Sequence, residues 1–150
     1  MRPKIHIIIG IIFVVFLNLF SPNLTWMSLL IIFFSSVLID GDHYFYYILR
    51  TKNFSLTKCY AWYKKHLEET LALPMNERKK RYTGFYILHG IEPMMVLFFL
   101  GISVSQFFML IFIGFLLHFI VDIPHEYYIK RTLHKISLIY SYIQFRKLEK

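Results

Sequence analysis

Hydrophobic residues fall into two long blocks along the chain, residues 5–49 and 82–129, and neither block contains a lysine or an arginine. A helix needs about 20 apolar residues to cross the hydrocarbon core of a bilayer, which is about 30 Å thick. Apolar runs close to that length predict four membrane-spanning helices, at about 5–20, 24–40, 86–101 and 107–123. The pattern therefore predicts an all-α fold, a polytopic membrane helical bundle that occupies residues 1–150 as one domain.

Short polar connections separate the predicted spans within each pair. The sequence Ser-Pro-Asn at 21–23 turns the chain after the first span, and residues 101–106 join the third span to the fourth. Pro124 is predicted to end the fourth span, because proline breaks the hydrogen bonding of a helix interior. Basic residues precede the first span as they would in a signal peptide, but no small-x-small cleavage site follows it. We therefore expect an uncleaved span.

Two basic segments lie outside the predicted spans, a loop at 50–84 and a tail at 125–150. Within them, apolar residues recur near helical spacing over 55–73 and over 133–150. Basic amphipathic helices of this kind lie on the surface of an anionic leaflet. We therefore predict two cytoplasmic interfacial helices in addition to the spans.

Composition and charge give this arrangement an orientation. The chain is 57% hydrophobic, against about 45–50% in soluble domains. Its 17 Lys and Arg lie only at the N-terminus, in the loop and in the tail. Because basic residues stay cytoplasmic, both termini and the loop are predicted to be cytoplasmic, in the plasma membrane of a prokaryote. This topology accounts for the net charge of +8, so nucleic acid is not an expected partner.

Ionisable residues inside the apolar blocks share one depth in this topology. Three predicted spans carry them at their cytoplasmic ends, and ionisable residues within a membrane are costly and mark functional sites. The single Cys59 excludes a disulfide within the chain and a cysteine metal cluster. Seven side chains of metal-ligand type are predicted to lie at this depth: Asp40, Asp42, His43, His89, Glu92, His118 and Asp122.

Spacing brings several of these residues onto common helix faces. His89 and Glu92 are three positions apart, and His118 and Asp122 are four apart. The spans contain no Lys or Arg to neutralise the carboxylates, and buried charges are paired or coordinate metal. Nitrogen and oxygen ligands without thiolate favour zinc, with Mn or Fe(II) as alternatives. One or two such ions would activate water for attack on an ester, with Asp42 or Glu92 as the catalytic base.

Two other functions would use the same residues. A carrier of protons or metal ions would need a polar path to the outer face, where the spans hold few polar residues. A scaffold with a structural metal would close the coordination sphere, whereas an enzyme keeps one position open. The remaining histidines, His6, His66 and His134, are interpreted as interface or surface residues. His125 and Glu126 begin a zincin-like motif whose second histidine is missing.

The order of the motifs resembles that of a known family. The sequences Asp40-Gly41-Asp42-His43, then His89, then His118-Phe119-Ile120-Val121-Asp122 are similar to motifs of the membrane-bound metal-dependent hydrolases, the YdjM-like family. The resemblance covers roughly residues 5–128. Family members usually carry L-P-D-x-D-H where this chain has L-I-D-G-D-H. They often have Thr and Ser beside the middle histidine, where this chain has neither and Glu92 follows.

The resemblance also implies a substrate class. The family looks related to zinc-dependent phospholipases C and single-strand nucleases, which hydrolyse phosphate esters with clustered zinc. It implies hydrolysis of a lipid-like phosphoester at the cytoplasmic leaflet, with the bilayer and the lipid as partners. Lys79, Lys80 and Arg81, just before the third predicted span, are expected to meet the substrate phosphate. A bundle this small is also expected to form a homo-oligomer.

Overall fold

The computed structural model describes residues 3–81, 84–131 and 136–148. Over these residues the chain consists of helices and short connections, without a strand. The helices are α1 (Pro3–Phe20), α2 (Trp26–Leu38), α3 (Gly41–Thr51), α4 (Leu56–Ala72), α5 (Met75–Arg78), α6 (Ile91–Ser103), α7 (Gln106–Lys130) and α8 (Leu138–Leu148). The predicted all-α class is confirmed.

The helices belong to two compact units. The first consists of Met1–Asp40 and Ile91–Asp122, and the second of Gly41–Gly90 and Ile123–Lys150. The first unit therefore contains α1, α2, α6 and most of α7, while the second contains α3, α4, α5, the end of α7 and α8. Each unit carries some of the predicted site residues.

Glycines let the helices of the first unit approach closely. A Cβ atom on Gly114 of α7 would lie 2.5 Å from the carbonyl oxygen of Ile32 and 2.6 Å from Cβ of Ser35, both in α2. A Cβ atom on Gly10 of α1 would lie 3.0 Å from the hydroxyl oxygen of Ser36. Small residues at such crossings are typical of helices that associate in an apolar environment. Helix α2 is thus in close contact with both α1 and α7.

The apolar helices expose much of their hydrophobic surface. Two helical segments, Trp26–Thr51 and Gln106–Lys130, are long and apolar enough to cross a membrane, and Lys4–Phe20 and α6 are apolar but shorter. Leu19 is 70% exposed and Trp26 75%, although water-soluble monomers rarely expose large apolar patches. Helix α6 has 13 residues, which extend only about 20 Å. The four-span bundle stays a prediction.

Two predicted span boundaries differ from the structure. The third apolar helix begins at Ile91 rather than at 86, because residues 84–90 are not helical. In that segment the amide of Leu88 donates to the carboxylate of Asp42 at 3.0 Å. In a helix this amide would instead donate to the backbone carbonyl four residues earlier. The predicted stop at Pro124 is wrong, since α7 continues to Lys130. Proline is tolerated within apolar helices where neighbouring groups satisfy the carbonyl that it releases.

The second unit contains the helices predicted for the loop and the tail. Helix α4 matches the predicted segment 55–73 and begins where the hydroxyl of Ser55 accepts a hydrogen bond from the amide of Lys58. Helix α3 closes at Lys52, whose φ is 54° and whose amide donates to the carbonyl of Ile48 at 2.8 Å. Helix α8 covers the later part of the predicted tail helix, of which 133–135 and 149–150 lie outside the described residues.

Candidate metal centres

Four side chains of ligand type meet in the first unit, and we call them the His118 cluster: His6, Asp40, His118 and Asp122. Nε2 of His118 lies 3.7 Å from Oδ1 of Asp40 and 3.6 Å from Oδ2 of Asp122. Nε2 of His6 lies 3.3 Å from Oδ1 of Asp122. Both histidines and Asp122 are buried, and Asp40 is half-buried. The first unit thus holds imidazoles and carboxylates together largely away from solvent.

A backbone carbonyl fixes the ring of His118. Nδ1 of His118 lies 2.7 Å from the carbonyl oxygen of Ser36, and a carbonyl only accepts, so Nδ1 carries a proton and donates it. In the neutral ring the lone pair is therefore on Nε2, the atom that faces Asp40 and Asp122. The ring is only 1% exposed. Metal-ligating histidines typically donate their other ring N–H to an acceptor in this way.

The separations between donor atoms in the His118 cluster suit a shared cation. Charge-assisted N–H···O bonds are about 2.7–2.9 Å long, whereas the separations here are 3.3, 3.6 and 3.7 Å. Two ligand atoms that each lie about 2.0–2.1 Å from a tetrahedral zinc are about 3.3–3.4 Å apart. One ligand atom from each of His6, His118 and Asp122 lies within 4.8 Å of the other two. The donor set and its spacing fit a zinc ion.

Charge also favours a cation in the His118 cluster. Asp40 and Asp122 place two carboxylates beside one imidazole nitrogen. Among the described residues of the first unit, the only lysine or arginine is Lys4, which is exposed at the start of α1. Burial of carboxylates is costly, and a divalent cation held between them and the imidazoles would offset part of that cost.

His6 is a site residue that sequence reasoning missed. From the sequence it is predicted to lie at the interface, whereas the structure leaves it only 6% exposed and stacks its ring on that of His118, with centroids 4.1 Å apart. Its predicted depth in the membrane could have identified it, because the first span is predicted to start on the cytoplasmic side, where the other ligands lie. His6 has no carboxylate or imidazole three or four positions away, so helical spacing does not identify it.

A second group of polar side chains surrounds one carboxylate in the second unit, and we call Asp42, His43 and His89 the Asp42 cluster. Nδ1 of His43 lies 2.8 Å from Oδ1 of Asp42, and Nδ1 of His89 lies 3.0 Å from Oδ2. The amide of Leu88 donates to the same Oδ2 at 3.0 Å. Asp42 and His43 lie in the first turn of α3, and His89 lies in the non-helical segment before α6. One carboxylate thus serves two imidazoles and one backbone amide.

Two tyrosines hold His43 in place. The ring of Tyr86 stacks on that of His43, with centroids 3.8 Å apart and 3° between the planes. The hydroxyl of Tyr63, on α4, donates to the carbonyl oxygen of His43 at 2.9 Å. Burial, reinforced by the neighbouring Tyr86 hydroxyl, raises the pKa of Tyr63 above its usual value, so this hydroxyl keeps the proton that it donates. Both the ring plane and the backbone of His43 are therefore constrained.

Replacing Tyr86 tests the contribution of this stacking. We expect Tyr86→Phe to keep the unfolding midpoint of the wild type and Tyr86→Leu to lower it by several degrees, because stacked rings contribute about 0.5–1.5 kcal/mol beyond their buried area. The hydroxyl that Phe lacks lies 3.5 Å from that of Tyr63, at the limit of a hydrogen bond. Thermal unfolding in detergent measures both variants. Equal midpoints for Leu and Phe would contradict a contribution from the stacking.

The remaining predicted site residues are Glu92 and the three cations that follow α5. Glu92 is half-buried in the first turn of α6. Lys79 and Lys80 follow α5 and are exposed, while Arg81 forms an ion pair with Glu69 of α4. The first unit therefore holds Asp40, His118 and Asp122 of the predicted ligands in one cluster, and the second holds Asp42, His43 and His89. That all seven predicted ligands share one site stays a prediction.

Comparison of the chain with protein-family models, with curated proteins and with solved structures finds no match in any of the three. The likeness to the membrane-bound metal-dependent hydrolases therefore rests on the sequence motifs alone. What the protein does has to be inferred from those motifs and from the geometry of the His118 and Asp42 clusters.

Proposed function

We propose that this protein is a membrane-embedded, metal-dependent hydrolase that cleaves a lipid-like phosphoester at the cytoplasmic leaflet. The observation that carries the proposal is the His118 cluster, whose imidazole and carboxylate atoms face one another at 3.3–3.7 Å. Donors of nitrogen and oxygen without thiolate favour zinc, with Mn or Fe(II) as alternatives. The long apolar helices and their exposed side chains support the membrane location.

Each residue of the His118 cluster has a role in this proposal. His6 and His118 supply Nε2 as ligands, and Asp122 supplies a carboxylate oxygen, with Asp40 as a further oxygen donor. A divalent cation held by them would lower the pKa of a bound water to about 7. Glu92, a half-buried carboxylate in the same unit, is our proposed general base, because a carboxylate can take a proton from the attacking water.

The proposed substrate class follows from the motif resemblance and from the cations that follow α5. Lys79 and Lys80 are exposed, and basic side chains at a membrane surface attract anionic headgroups. We assign the first contact with the phosphate to Lys79, Lys80 and Arg81, of which Arg81 also pairs with Glu69. A phosphoester lipid of the cytoplasmic leaflet would thereby be attracted to the protein.

Hydrolysis is tested with zinc-loaded protein in nanodiscs that contain phosphatidylglycerol, phosphatidylcholine or phosphatidic acid. We expect one of these lipids to release its phosphorylated headgroup or inorganic phosphate, followed by phosphorus NMR. A strong chelator should abolish the release and added zinc should restore it, because the proposed reaction depends on a water activated by the metal.

His66→Ala is the matched control for this experiment. Nδ1 of His66 lies 2.8 Å from the carbonyl oxygen of Trp62 within α4, outside both clusters. We expect His66→Ala to keep the activity and His118→Ala to lose at least about 100-fold, since even outer-shell partners of a metal site contribute about 10–100-fold. Zinc-loaded wild type that releases no product from any lipid would contradict the hydrolase, and ion flux across liposomes would then indicate a carrier.

A further inference from the structure

We infer that Asp42 is a positioning residue, which holds His43 and His89 with their Nδ1 atoms protonated so that both Nε2 atoms serve as metal ligands. The sequence motif alone leaves Asp42 as a ligand or a general base. The inference rests on the proposal that the protein binds a divalent metal, but its first test needs neither metal nor activity.

Asp42 contacts the same ring atom of both imidazoles. Both imidazoles reach Asp42 through Nδ1, at 2.8 Å for His43 and 3.0 Å for His89. An ionised carboxylate only accepts hydrogen bonds, so each Nδ1 must carry the proton. In a neutral imidazole the lone pair is then on Nε2. One carboxylate therefore sets the same tautomer in two histidines.

Both oxygens of Asp42 already accept hydrogen bonds. Oδ1 accepts from His43, and Oδ2 accepts from His89 and from the amide of Leu88 at 3.0 Å. The side chain is only 10% exposed, so water has little access to it. A general base must have an oxygen within reach of the proton that it takes, and three donors already occupy this carboxylate. Contacts of this kind are typical of the partners that orient metal-ligating histidines.

The imidazole rings of His43 and His89 lie close together. The centroids of His43 and His89 lie 4.5 Å apart, with 63° between the planes. Tyr86 fixes the plane of His43 by stacking, and the bond to Asp42 limits rotation about its side chain. Two imidazoles that are held close together with the same tautomer form a nitrogen donor pair, which suits zinc, copper, nickel or iron. We assign this pair to the same class of divalent cation as the His118 cluster.

The first test observes the tautomers directly. Full-length protein labelled with nitrogen-15 at histidine, freed of metal and held in micelles at about pH 8, should show His43 and His89 protonated at Nδ1, since a free histidine has its pKa near 6.5. His43→Gln and His89→Gln assign the two signals. Protonation of either ring at Nε2 in the wild type would overturn the inference.

The second test replaces the carboxylate. Asp42→Asn keeps the size of the side chain but exchanges one acceptor oxygen for a donor, so we expect one ring to change its tautomer and the zinc affinity to fall by about 10–100-fold. Competition with a chromophoric chelator measures the affinity. Glu77→Gln makes the same chemical change at an exposed position of α5 and should alter neither quantity.

The outcomes separate this inference from the proposed hydrolysis. If Asp42→Asn binds zinc as tightly as wild type, Asp42 does not position the ligands. If it loses hydrolysis while tautomers and zinc affinity stay unchanged, Asp42 is a base, and the inference is overturned. If tautomers and zinc affinity respond as expected but no lipid is cleaved by wild type, the positioning role holds and the hydrolase proposal fails.

Discussion

Removing the imidazole of His118 is expected to deprive the protein of a tightly bound divalent metal ion. In the wild type, Nε2 of His118 faces Asp40 at 3.7 Å and Asp122 at 3.6 Å, and the bond from Nδ1 to the carbonyl of Ser36 keeps the lone pair there. His118→Ala removes a ligand outright. We therefore expect an affinity loss beyond the about 10–100-fold that outer-shell partners contribute.

Elemental mass spectrometry of detergent-purified protein, prepared without chelators, measures this loss. Wild type and His66→Ala should contain stoichiometric zinc or manganese, and His118→Ala should contain less by at least one ion per chain. His118→Gln fills most of the volume of the buried ring, so it separates loss of the ligand from loss of packing. Wild type without stoichiometric metal, or His118→Gln with unchanged metal content, would contradict the metal centre.

The second large effect is expected from a single methyl group on α7. In Gly114→Ala the new Cβ would lie 2.5 Å from the carbonyl oxygen of Ile32 and 2.9 Å from the amide nitrogen of Ser36. These are backbone atoms, which cannot move aside unless α2 shifts. Overpacking of a tight core typically costs about 1–3 kcal/mol, and more where the structure cannot adjust. We expect the first unit to unfold at a markedly lower temperature and to bind metal less tightly.

Gly41→Ala is the matched control, because a Cβ atom there would meet nothing within 4 Å. Gly41 begins α3, and alanine is favoured over glycine within a helix by up to about 1 kcal/mol. Its unfolding midpoint should equal or exceed that of wild type. A Gly114→Ala variant that unfolds at the same temperature as Gly41→Ala would show that α2 and α7 are not in tight contact.

Much of the helical architecture could be predicted because it depends on local patterns. Apolar runs identify α1, α2 and α7, and the spacing of apolar residues identifies α4. The non-helical stretch 84–90 could not be found in this way, because its apolar residues Phe85, Ile87 and Leu88 continue into the apolar run of the helix that follows. Its amide at Leu88 bonds to Asp42, 46 positions earlier in the chain, and no local pattern reports a contact of that range.

The sequence identifies which types of residue form the candidate site, but it does not show how those residues group in space. Charge and depth in the predicted spans select the ligand-type residues, Asp42 and His43 among them, and helical spacing pairs His118 with Asp122. Spacing does not select His6, whose partners lie on other helices. Spacing also cannot tell a ligand from an orienting group, since that depends on which ring nitrogen faces the carboxylate.

The two acceptors that set the histidine tautomers differ in how they respond to genetic change. The acceptor of His118 is the main-chain oxygen of Ser36, which no codon change at position 36 can delete. The size of the side chain at position 36 is limited, because Gly10 packs against the Ser36 hydroxyl. The acceptor of His43 and His89 is a side chain, and one missense mutation removes it from both. A single mutation at position 42 can therefore release both His43 and His89 from their acceptor, whereas no single mutation at position 36 removes the acceptor of His118.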